Sequence, residues 1–149
     1  MEPLTASEQA TLDIVVNLIV PPSADGRLPG AAEYDVWSHV LGFRPELAPG
    51  IRAELAEANA FAEDEHGQPL AALPPDVAAA AITALRKTHP KIFASLARQT
   101  VTCYYQQDQV LEAIGMPARP PFPLGFEVPR GDLSLLDPVK ARGKMYRDA

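Results

Sequence analysis

The stretch TASEQATLDIVVNLIVPP, residues 5–22, reads as a helix with both ends marked. Thr5 followed three residues later by Glu8 matches a capping box, in which each residue satisfies a backbone N–H of the other. Leu12, Val15, Val16 and Ile19 then recur at helical spacing, giving one apolar face. Pro21 and Pro22 end the segment, because a proline inside a helix removes a hydrogen bond and clashes with the preceding turn. The predicted helix covers residues 6–20.

The same grammar repeats downstream. Pro29-Gly30 opens a short second helix over 32–41, with Tyr34, Trp37 and Leu41 on one stripe. A third runs over 49–65 with Ile51, Leu55, Ala58 and Ala62 in register, and His66-Gly67 stops it. A fourth covers 75–88, capped or begun by Asp76, and its Ala78–Ala81 run has side chains small enough for close helix approach. Pro90 starts a fifth, to 105, with Phe93, Ala97, Thr100 and Tyr104 on one face. A sixth over 108–114 ends at Gly115. No alternating apolar/polar stretch is bounded by hairpin turns. The expected fold is therefore all-α: a bundle of five to six helices over residues 1–115, followed by an extended proline-rich arm over 116–149.

The 149 residues suit one modest domain, and 47% hydrophobic with 21% charged residues marks a globular chain. A net charge of −6 argues against nucleic-acid binding, which needs a basic face. The longest apolar candidate, Leu12–Val20, is interrupted by Asp13 and Asn17, so no membrane-spanning helix is expected. One cysteine excludes an internal disulfide. The first residues lack a basic region, a twin arginine and a small-residue cleavage site, so the expected location is cytoplasmic.

Catalytic patterns are missing. No two of the nine glycines stand two apart, so neither GxGxxG nor GxSxG occurs, and none of the three histidines sits in HExxH. Asp35 and His39, four apart, share a helix face on which a metal could be held; a surface pair is the plainer reading. Glu63-Asp64-Glu65-His66 lacks the alternating oxygens and central glycine of a calcium loop and reads as a solvated helix end. Cys103 has no histidine near it in sequence, its nearest basic neighbour being Arg98, and reads as a buried apolar residue. No catalytic, metal or cofactor-binding residue is expected in this chain.

The remaining segment, MPARPPFPLGFEVPRGDLSLLDPVKARGKMYRDA, carries six of the sixteen prolines within residues 117–138. Those at 117, 120, 121, 123 and 129 forbid a helix there and favour an extended path. Phe122, Leu124, Phe126, Leu136 and Val139 are not linker residues, since disordered segments are poor in such side chains. Charge is also uneven: residues 1–129 hold 8 Lys/Arg against 16 Asp/Glu, residues 130–149 hold 5 against 3. The 29 residues from Pro121 span at most about 95 Å, enough to wrap their own body or to lie across a larger partner. The residues expected to touch a partner are Tyr104, Tyr105, Phe122, Leu124, Phe126, Leu136 and Val139, with the two tyrosines equally able to fill the core.

These residues resemble a known family. Leu4-Thr5-Ala6 through Ile19-Val20-Pro21-Pro22 to Pro29-Gly30-Ala31, then Thr100-Val101-Thr102, Tyr104-Tyr105, Val110-Leu111 and Ile114-Gly115, are similar to gluconate 2-dehydrogenase subunit 3, the small (gamma) subunit. Pro121-Phe122-Pro123, Gly125-Phe126-Glu127, Leu136-Asp137-Pro138-Val139 and Arg142-Gly143 resemble a short subgroup found beside flavin-dependent oxidoreductases. The resemblance implies a non-catalytic small subunit, without a cofactor of its own, that stabilises a larger FAD-dependent oxidoreductase of the glucose-methanol-choline (GMC) family acting on an alcohol group, often of a sugar. The family's common twin-arginine signal is absent here, which puts an export role in doubt. A stand-alone metal-dependent helical enzyme and a tail-swapped homo-oligomer remain as alternatives.

Overall fold

The computed structural model describes residues 3–119, 122–123, 125 and 130–144. Among them every regular element is helical: α1 (Ala6–Ile19), α2 (Val36–Phe43), α3 (Ala48–His66), α4 (Pro75–Thr88), α5 (Ala94–Tyr104), α6 (Asp108–Ala113) and α7 (Asp137–Lys140), with short 3-10 turns between some of them. None is long and apolar enough to cross a membrane. The chain divides into two compact units, residues 1–118 and 119–149.

In the first unit the capping box at Thr5 forms as the spacing requires. The Thr5 N–H donates to Glu8 Oε2 at 2.7 Å and the Glu8 N–H to Thr5 Oγ1 at 3.2 Å. Arg52 of α3 then reaches the same carboxylate at 3.0 Å and stands over the Trp37 ring, 5.4 Å from its centroid. One guanidinium thus ties the start of α1 to α3 and α2. Backbone and side-chain bonds from Thr5, with Arg52 assisting against partial desolvation, hold the Glu8 carboxyl below its usual range.

Leu12, Val15 and Val16 of α1, Ile51, Leu55, Ala58 and Ala62 of α3, Ala78, Ala81, Ile82 and Leu85 of α4, and Leu96, Cys103 and Tyr104 of α5 build one buried core. Alanines at 48, 58, 62, 78 and 81 keep the helix axes close. Gly67 closes α3 in the left-handed conformation, φ 72°, which a glycine adopts without a Cβ penalty.

Three boundaries differ from the expectation. The second helix does not start at 32: residues 31–33 make a 3-10 turn, and Asp35 caps α2, accepting from the Ser38 N–H at 2.8 Å. Its buried face is consequently Val36, Trp37 and Val40, while Tyr34 lies before the helix. The fifth helix begins at Ala94, because Phe93 takes φ 63° and the turn from Pro90 is not helical. In the second unit, residues 133–140 form a 3-10 turn running into α7, where an extended path was expected. These residues lie beyond Pro129, and Pro138 occupies a first-turn position that needs no N–H.

A buried polar knot links α1 to α3. The Asn59 amide donates to Thr11 Oγ1 at 2.8 Å, and its oxygen accepts from the Leu70 N–H at 3.1 Å. Asn59→Leu keeps the volume but strands both partners, so stability should fall by about 1–3 kcal/mol, measured by denaturant unfolding.

Candidate partner-binding surface

Tyr104 and Tyr105 are adjacent in sequence yet face different surroundings. Tyr104 is 2% exposed; its hydroxyl donates to the Pro29 carbonyl at 2.9 Å. Its ring meets Tyr34 edge-on at 5.7 Å and Tyr105 at 5.2 Å. Burial raises its phenol pKa, as it does that of Tyr34. Tyr104 therefore sits in the core, pinning the 23–35 loop to α5, and offers a partner no surface. Tyr105, at the end of α5, is 49% exposed. Val101, Ile114 and Met116 join it as large apolar side chains left open on this end of the first unit.

The loop itself is held from several sides. Arg27 donates to the Ala113 carbonyl at 3.1 Å, the Ala31 N–H to the Val20 carbonyl at 3.0 Å, and the Ala32 N–H to Asn17 Oδ1 at 2.9 Å. At Gly30 a Cβ would strike the Asn17 carboxamide and stand 3.0 Å from Pro22 Cδ. The Pro29-Gly30-Ala31 stretch is thus a close approach of backbone to α1.

In the second unit, Phe122 is 84% exposed, and Leu136 and Val139 are 48% and 54% exposed. Leu133 and Leu135 beside them are more open still. Asp132 caps their turn, accepting from the Ser134 N–H at 3.0 Å. Leu124 and Phe126 lie outside the described residues. The expected contact set is therefore split between a core residue, Tyr104, and exposed residues on each unit.

The other candidates have structural occupations. The Asp35 carboxylate caps α2 and also accepts from Ser38 Oγ at 2.7 Å, while the His39 ring packs on Phe43 at 4.8 Å between centroids. Among the described residues no three His, Cys, Asp or Glu side chains gather as metal ligands. Cys103 is buried and its thiol pKa is pushed up by desolvation, the opposite of an activated nucleophile.

Sequence reasoning passed over Glu54. It falls within the apolar stripe of α3, three residues after Ile51 and four before Ala58, which was the available signal. Its Oε2 is buried without a partner. Desolvation raises its pKa above 4.5, opposed by a bond from the Phe93 N–H and reinforced by the nearby Glu57.

The folded state thus binds this proton more tightly than the unfolded chain. Its contribution to stability is full below about pH 4.5 and is lost as pH rises through the folded value. Glu8 acts oppositely: its lowered pKa contributes above 4.5 and the benefit is lost as pH falls. Glu54→Gln should therefore raise Tm at neutral pH and flatten the decline that sets in as pH rises above 4.5, followed by thermal melts. Tyr104→Phe should cost about 0.5–1.5 kcal/mol of stability through the lost Pro29 bond, while leaving association with a partner unchanged in a binding titration.

No curated protein and no solved structure matches the chain significantly. The family of gluconate 2-dehydrogenase subunit 3 matches residues 6–117, which takes in α1, the close-packed Pro29-Gly30-Ala31 loop and Tyr104, which holds that loop. The chain belongs to the gluconate 2-dehydrogenase subunit 3 family, whose members are subunits of a dehydrogenase complex and so have a larger partner.

Proposed function

We propose that this chain is the non-catalytic small subunit of a cytoplasmic oxidoreductase complex. It braces a larger FAD-dependent subunit of the GMC family that oxidises an alcohol group, on a sugar or related compound. FAD and the chemistry belong to that partner, and this chain carries neither.

The observation behind this reading is the second unit's run of exposed apolar side chains, Phe122, Leu133, Leu135, Leu136 and Val139. Exposed clusters of this kind mark interaction sites. Leu124 and Phe126 add to the same segment in sequence, and Tyr105 extends the contact set onto α5. Pro138 and the Asp132 cap restrict the backbone of the segment before it binds, which lowers the entropy lost on docking.

Deletion of residues 119–149 tests it. Co-expressed with the flavoprotein, the truncated chain should fold, yet its affinity for the larger subunit should fall at least tenfold, about 1.4 kcal/mol. Recovery of the full complex, yellow with flavin and undiminished in yield, would exclude the segment as an anchor.

A further inference from the structure

The first unit carries a second surface that this reading does not use. Between Asp76 and Asp108 the chain has no acidic residue, yet Arg86, Lys87, Lys91 and Arg98 fall there, half of the eight Lys/Arg in residues 1–129. All four are exposed, and among the described residues none has its charge engaged by a hydrogen bond or an ion pair. In a body of net charge −8 over residues 1–129 this is a local reversal of sign.

One residue of this stretch, Arg86, borders an apolar cavity, while Lys91 lines a separate depression. Val15, Leu18 and Ile19 of α1, Ile82 of α4, and Ile92, Phe93 and Ala97 line a groove of about 340 Å³, with Arg86 its one charged wall. Leu18, 43% exposed, divides it from a neutral depression of about 380 Å³ toward Leu73 and Pro75. The turn that shapes the groove is strained: Phe93 holds φ 63°, a conformation costly for a residue with a Cβ. The Phe93 N–H lies near enough to the Glu54 carboxylate to favour its charged form. Glu54 and Glu57 themselves lie across the Pro90–Ile92 turn, in a separate depression with His89.

We infer that the α1–α4–α5 groove receives an apolar segment of the larger subunit that carries a carboxylate, with Arg86 pairing at its wall. A small-molecule site needs several convergent polar groups to fix orientation, and this groove has one. A protein segment needs an apolar anchor pocket and a charged rim, both of which are present. An exposed cation without an ion pair, Arg86, at the wall of such a groove supplies attraction and register toward an acidic counterpart. The inference rests on the small-subunit reading for the existence of the partner, and not on the role of residues 119–149.

The test uses the full chain and the purified larger subunit, with Kd measured at low and high salt and folding followed by thermal melts. Arg86→Glu should weaken binding about tenfold and flatten the salt dependence, and Arg86→Lys should restore most of it. Ala97→Phe, which fills the groove without touching charge, should weaken binding independently. If both variants are folded and bind within twofold of the parent, the inference is overturned. Light scattering that shows the chain alone pairing through this groove, with pairing lost in Arg86→Glu, also overturns it in favour of a second copy. Loss of binding in these variants while the 119–149 deletion binds normally keeps the groove and removes the arm; the converse keeps the arm and removes the groove.

Discussion

The first unit depends on the Gly30 backbone seated against the Asn17 side chain of α1, with no room for a Cβ. At Gly30 the chain runs so close to Asn17 and Pro22 that a single methyl group would collide with both. That approach lets the Ala32 N–H find Asn17 and the Ala31 N–H find the Val20 carbonyl just past the end of α1. The loop is then fixed at its far side by the Tyr104 hydroxyl on Pro29 and by Arg27 on Ala113. Through these bonds a segment without regular structure becomes the seam joining α1 to α5 and α6, and it delivers Val36 and Trp37 to the core.

Rigidity in this seam has a functional consequence. On the small-subunit reading proposed above, the chain acts by presenting a surface of fixed shape, and both candidate surfaces border elements the seam or its neighbours hold. Tyr105 and Val101 project from α5, whose last turn is secured by Tyr104. The basic groove is lined by Phe93, whose backbone takes φ 63°. Glu54, with one oxygen buried and unpartnered, lies in the separate depression across the turn and carries its own cost in stability.

Helix existence and ends were legible where a local signal stood alone. The Thr5–Glu8 box, Pro21-Pro22 and Gly67 act within a few residues, so their reading survives folding intact, as do the apolar stripes of residues 51–62. The resemblance was legible too, because the loop and tyrosine motifs are contiguous stretches. Less legible were the start of α2, where Asp35 caps in preference to the Pro29-Gly30 signal, and the start of α5, where the left-handed backbone of Phe93 delays the helix past Pro90. At each, two local signals compete, and the packing of the core selects between them.

Thus the amino-acid sequence by itself determined an all-helical body, its family, and a proline-rich apolar tail, since periodicity, caps and proline act over a single turn of chain. Only the tertiary structure decided which tyrosine of the adjacent pair is buried, that one Glu54 oxygen lies desolvated, and that Arg86 stands at the wall of an apolar groove. Those facts arise from residues of α1, α3, α4 and α5 meeting across dozens of positions, and burial is a property of that meeting rather than of any residue.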